Sequence, residues 1–179
     1  YYANDKGGYR LATSVAGHGT GQHPDRIIAD DPHNANESES EAERQAVVDW
    51  WDRSITTRGV SRGARRVIVM QRLHHHDLSA HVLAQGGYEH LLLPMRYESE
   101  RSRTTCIGWT DPRKEEGELL APQRYPEETV VKLEEILGPS ATPAQLQQRP
   151  AKKGDGILKQ AWFKLWTDLP AGGIYTLSL

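Results

Sequence analysis

Three short, continuously apolar runs punctuate the chain: Ile27-Ile28-Ala29, Val67-Ile68-Val69-Met70 and Leu91-Leu92-Leu93. Each is bounded by charged or polar residues or by proline, as buried strands are. Between them the apolar residues recur at helical spacing. Val47, Val48, Trp51 and Ile55 fall on one side of a helix. Ser38-Glu39-Ser40-Glu41 is a capping-box pattern that opens it, and it runs to about Ile55. A second helix starts at Asp77, a good N-cap, carries Leu78, Val82 and Leu83, and ends at Gly86-Gly87. Residues 9–15 read as an earlier strand, followed by the loop Gly17-His18-Gly19-Thr20-Gly21. Strand, helix, strand, helix, strand with continuous apolar strands predicts an α/β fold with a mostly parallel sheet and flanking helices.

After about residue 96 the pattern changes. Residues 97–123 are polar and irregular. Pro126 and Gly138-Pro139 bracket a helix with Val130, Leu133, Ile136 and Leu137 on its apolar side, and Thr142-Pro143 opens a short helix through Gln148. Residues 150–156 form a Pro/Gly/Lys linker, and Ala161-Trp162-Phe163-Lys164-Leu165-Trp166 is an aromatic segment that docks on something.

At 179 residues the chain suits one domain, or one domain with a docked extension. A formal charge of −2 excludes a strongly cationic nucleic-acid binder. Charge is uneven all the same: residues 30–52 are mostly acidic, and residues 53–72 carry Arg53, Arg58, Arg62, Arg65, Arg66 and Arg72. The single cysteine, Cys106, rules out an internal disulfide, fits a reducing compartment and reads as structural. No apolar run approaches membrane-spanning length and no signal-peptide pattern is present. The chain opens on Tyr1 rather than methionine, which suggests a piece of a longer protein.

The most informative stretch is Arg26-Ile27-Ile28-Ala29-Asp30-Asp31-Pro32, where an apolar strand ends in two adjacent carboxylates. Neighbouring aspartates repel one another and lose solvation at a strand end, and a divalent cation relieves both costs. This is the chemistry of a Walker B site, in which one carboxylate holds hydrated Mg²⁺ and the next polarises the water that attacks a γ-phosphate. A solvent-exposed turn after a core strand would show the same residues. Met70-Gln71-Arg72 is the matching feature on the next strand. The Gln71 amide can touch both a phosphate and a water, and Arg72 adds charge, although a solvated strand end would also carry them. His74, Asp77 and His81 would share one helix face if the helix began near His74, a possible zinc site that lacks any recognised ligand spacing. The glycine-rich loop at 17–21 is no phosphate loop, because no G-x-x-x-x-G-K-[ST] occurs in the chain.

Taken in order, Tyr9-Arg10-Leu11-Ala12-Thr13, the glycine-rich loop, Asp25 through His33, Trp50 to Arg58, Arg66 through His74, Asp77-Leu78, Gly117-Glu118-Leu119-Leu120, Pro122-Gln123-Arg124-Tyr125 and Gln145-Leu146-Gln147-Gln148-Arg149-Pro150 resemble the large terminase subunits of tailed bacteriophages and prophages. The similarity covers most of residues 9–166. The resemblance implies an ATP-driven DNA-packaging motor with an N-terminal P-loop NTPase domain of the ASCE type and an RNase H-like nuclease domain. It assigns residues 1–96 to the later half of the ATPase domain, 97–149 to a helical and irregular subdomain, and 150–179 to a linker toward the nuclease. By position, Asp30 matches the Mg²⁺-associated aspartate, and Asp31 matches the catalytic carboxylate, a place often held by the longer glutamate. Gln71 and Arg72 match the segment that couples hydrolysis to DNA movement. The implied cofactors are Mg²⁺ and ATP. The implied partners are double-stranded DNA, the portal protein, the small terminase subunit and further copies in a ring, in the bacterial host cytoplasm. The family's phosphate loop and nuclease carboxylates have no counterpart in this chain, so it is expected to neither bind ATP tightly nor hydrolyse it alone. Two other classes remain open: a metal-dependent hydrolase using His74–His81, and a non-catalytic prophage remnant or interaction module.

Overall fold

The computed structural model describes residues 1–15, 17, 23–58 and 63–151. The expected linker from 152 onward, the aromatic segment 161–166 and all but Gly17 of the glycine-rich loop lie outside them. The described chain is mixed α/β. Its strands are β1 (Tyr2–Ala3), β2 (Tyr9–Arg10), β3 (Arg26–Asp30) and β4 (Arg65–Val69). Its helices are α1 (Glu41–Trp50), α2 (Leu78–Gln85) and α3 (Glu127–Ala141). None of the described helices is long and apolar enough to cross a membrane.

β3 and β4 form a parallel pair in the register Arg26↔Arg65 to Asp30↔Val69. The intervening α1 makes this a strand–helix–strand unit, the connection that parallel pairing demands. Ala29, Val47, Val48, Trp51, Ile55, Leu78 and Val82 form its buried core, with Ile27, Ile68 and Met70 packed against it. The predicted stripe Val47, Val48, Trp51 and Ile55 is therefore the buried face. The helix reaches Ile55 because α1 continues into one wider π-helical turn, Trp51–Ile55.

α2 begins and ends where its capping residues predict. The Asp77 side chain accepts from Ala80 N at 2.9 Å, and Gly86 closes the helix at φ +82°, a conformation that favours glycine. α3 starts after Pro126, and its regular part stops at Gly138, φ +70°. Val130 is buried and Leu133 and Leu137 are half-buried, but Ile136 is exposed. The chain then makes a π-helical turn, Thr142–Leu146. Residues 97–123 are irregular as expected, with one short 3-10 turn, Ser99–Arg101.

Four expectations need correcting. The strand expected over 9–15 is two residues long and pairs antiparallel with β1. Tyr9 and Leu11 are exposed, so no buried face extends it. The N-cap of α1 is Ser40, whose side chain accepts from Glu43 N at 3.4 Å. Ser38 instead ends the 3-10 turn Ala35–Glu37 and gives its hydroxyl proton to Ala35 O. Leu91-Leu92-Leu93 forms no strand and joins no sheet among the described residues. Gly86 and Gly87, both at positive φ, swing the chain away from β4 after α2, and a groove lies between them. Finally, Cys106 is exposed rather than structural.

Candidate functional site

The parallel register places the ends of β3 and β4 side by side. Asp30 is opposite Val69, and Asp31 N donates to Val69 O at 2.9 Å, adding one more rung beyond the strands. Asp30-Asp31 and Met70-Gln71 thus leave the sheet at the same carboxyl end, the edge at which α/β sheets present ligand-binding groups. Asp31 takes a left-handed backbone, φ +41°, which aspartate tolerates better than most residues. Pro32 behind it is buried and stops the strand.

Both aspartates and Gln71 are exposed. The partial desolvation expected for the carboxylate pair is therefore absent, and only repulsion across one peptide unit favours a cation. The donor set suits Mg²⁺, which keeps most of its water and takes one or two carboxylate oxygens. Among the described residues, no group of three or more His, Cys, Asp or Glu side chains is arranged to hold a metal.

Arg72 differs from the expected free charge. Its Nε lies 2.8 and 3.0 Å from the two Asp77 carboxylate oxygens, and the pair is enclosed, with the side chains 16% and 1% exposed. Its backbone N–H donates to Gln148 Oε1 at 2.8 Å, across 76 positions of sequence. Gln148 holds this position from a left-handed backbone, φ +53°. Around it, Arg101 donates to the Gln147 and Gln148 carbonyls, and the Gln147 amide both accepts from Arg96 N and donates to Arg96 O. Arg149 ion-pairs with Glu98. The segment Gln147-Gln148-Arg149 is thus a strap tying the end of β4 to residues 96–101.

The histidine cluster is not brought together. α2 starts at Leu78, so Asp77 caps the helix rather than lying on its face. His81 Nε2 is 2.9 Å from Asp52 Oδ2, and Gln85 Nε2 lies 2.8 Å from that same nitrogen. His74, His75 and His76 instead pack ring against ring, tilted by 34° and 46°, with neighbouring ring centres 4.1 Å apart.

His33 and Arg44 are buried polar residues that the sequence pattern does not single out. Arg44 donates to Ser38 O at 2.6 Å, fixing the turn that leads into α1. His33 Nε2 accepts from Leu78 N at 2.9 Å and so supplies a second cap to α2. The acceptor role requires a neutral ring protonated on Nδ1. Burial lowers the His33 pKa, the Asp77 carboxylate opposes that shift, and Arg44 reinforces it.

The unfolded ring takes up a proton near pH 6.5, whereas the folded ring resists until a lower pH. Its contribution to stability is complete above the unfolded value of 6.5 and is lost as the pH falls from there through the lower folded value. His33→Gln keeps an acceptor without the titration. Urea unfolding at pH 7.5 and 5.5 should show a smaller acid loss in His33→Gln than in the parent, the limit being about 1.4 kcal/mol per pH unit for one proton. Equal losses in both would show that His33 does not carry the effect.

No protein-family model matches this chain, and no curated protein matches it. The fold and site together define a small mixed α/β protein. It presents two exposed aspartates and a glutamine at the carboxyl end of a parallel strand pair.

Proposed function

We propose that the chain is part of an ATP-driven DNA-packaging motor of the large-terminase type, supplying the Mg²⁺ and water-activating half of its nucleotide site within a P-loop NTPase fold. One observation carries the reading: Asp30-Asp31 and Gln71 leave adjacent parallel strands at the same edge of the sheet, joined by the Asp31 N to Val69 O hydrogen bond. Asp30 would hold hydrated Mg²⁺, and Asp31 would take the proton of the attacking water. Gln71, at the end of the neighbouring strand, would sense the phosphate. The Gln148 bond to Arg72 N favours the coupling role of Gln71-Arg72, because a change at the strand end would pull on a segment far along the chain. DNA would be held through its phosphates, which needs no base-reading motif.

Mn²⁺, a spectroscopic stand-in for Mg²⁺, tests the site directly. Electron paramagnetic resonance should detect one weakly held Mn²⁺ per chain. Asp30→Asn/Asp31→Asn should weaken that binding at least tenfold and leave the far-ultraviolet circular dichroism unchanged. Binding that is undetectable, or indifferent to the double substitution, would refute the assignment.

A further inference from the structure

Asp31 sits in a bend that is anchored on both sides. On the sheet side its own N–H donates to Val69 O at 2.9 Å. On the other side the chain passes through buried Pro32 to His33, which is 8% exposed and whose Nε2 accepts from Leu78 N at 2.9 Å. Leu78 and Asp77 are enclosed, 0% and 1% exposed. Asp77 grips Arg72 Nε through both oxygens, and Arg72 directly follows Gln71. The ends of β3 and β4 are thereby closed into a ring. One rung joins Asp31 to Val69, and the other runs from His33 through Asp77-Leu78 to Arg72.

We infer that His33 is a positioning residue for the Asp30-Asp31 cation site, holding the Asp31 bend, and with it the spacing of the two carboxylates from Gln71. The backbone of Asp31 shows why a second anchor is needed. Its φ of +41° costs a non-glycine residue energy, and such a conformation persists only where the surroundings over-determine it. The Val69 bond fixes where the chain enters the bend, and the His33 bond fixes where it leaves. Without the second, Asp31 relaxes toward an ordinary φ and its carboxylate turns relative to that of Asp30. Two carboxylates hold hydrated Mg²⁺ weakly, so their prior placement decides much of the affinity. His33 itself touches neither the cation nor the attacking water in this scheme. Its role rests on the nucleotide-site reading above, since it presumes a cation at Asp30-Asp31.

Mn²⁺ affinity, followed by electron paramagnetic resonance at neutral pH, tests the role of His33. His33→Ala should weaken binding about tenfold, as loss of a group that orients a metal ligand does. His33→Gln, which returns an acceptor to the place of Nε2, should restore affinity to within about twofold of the parent. Val130→Ala opens a cavity in α3, outside the core around α1 and α2, and should leave affinity unchanged. If circular dichroism shows His33→Ala unfolded, His33→Asn replaces it. Asparagine is one carbon shorter than glutamine, and it should bind as weakly as alanine was expected to. Equal affinity in parent and variant, or a loss that His33→Gln does not restore, would overturn the positioning role and leave the cation site standing. A matching loss in Val130→Ala would overturn it too, by showing that stability alone governs binding. A parent that binds no Mn²⁺, or binds it indifferently to Asp30→Asn/Asp31→Asn, would refute the nucleotide-site reading itself, and the role of His33 falls with it.

Discussion

Asp77→Ala should destabilise the protein by about 3–5 kcal/mol, because it strands the partly buried Arg72 guanidinium without a counter-charge. The carboxylate has two tasks. It accepts from Ala80 N as the cap of α2, and it lies within 3.0 Å of Arg72 Nε through both oxygens. Asp77→Asn separates them. Asparagine caps as well as aspartate, so the helix end is kept and only the charge is lost. The expected order of stability from urea unfolding is parent, then Asn, then Ala. The Asn-to-Ala step should be about 0.5–2 kcal/mol, the usual worth of an N-cap. Arg72→Met should also destabilise, by leaving Asp77 as a buried anion. Combined with Asp77→Ala it should cost less than the sum of the two single changes, since each already loses the same contact. Additive losses would show that the ion pair contributes little and that Asp77 matters only as a cap. The pair also bears on the candidate site, because it fixes the direction in which the chain leaves β4 directly after Gln71.

Local chemistry made much of this unit legible. Strand β3 ends where its apolar run meets Asp30, and α2 lies between an aspartate and a glycine, each with a definite capping role. Pairing is a different matter. Leu91-Leu92-Leu93 has the same apolar character as Val67–Met70, yet among the described residues one joins a sheet and the other does not. Nothing within three leucines records whether a partner edge is within reach. Ser38 and Ser40 show the same limit, since each precedes a glutamate by three residues. The 3-10 turn at Ala35–Glu37 decides between them by placing Ser38 before the helix begins. At the site, Asp30, Asp31 and Gln71 were recognisable as strand-end polar groups. The enclosure of Arg72 by Asp77 was not, because it depends on how residues 73–76 turn. The Gln148 contact could not be seen either, because its partners lie 76 positions apart.

The same dependence on distant partners makes Arg113 the second large effect. It lies in an irregular stretch and has no periodic signal, yet its side chain is 5% exposed. Nε and Nη2 reach the two Asp111 oxygens at 3.0 and 2.7 Å. Nη1 donates to the carbonyls of Pro94, Met95 and Glu118 at 2.9, 3.3 and 3.1 Å. The Arg113 hydrogen bonds in turn hold the Asp111 carboxyl below its usual range. One guanidinium thus takes the place of a sheet in joining residues 94–95 to 118, beside the bridge Arg96↔Leu119. Arg113→Ala should therefore cost about 3–5 kcal/mol, since it leaves Asp111 buried without its counter-charge. Lysine keeps the charge but cannot fork between a carboxylate and three carbonyls, so Arg113→Lys should retain only a minor part of the stability. Chemical denaturation gives the ranking, and hydrogen exchange locates it. Protection should fall first at Tyr97 N and Leu120 N, which donate to Glu118 O and Met95 O, while α1 stays closed. If Arg113→Lys proved as stable as the parent, charge alone would hold this region and the forked geometry would be dispensable. The loss should also loosen Gln147, whose amide bonds to both backbone groups of Arg96, and through the strap it should reach the Gln148 bond at the end of β4.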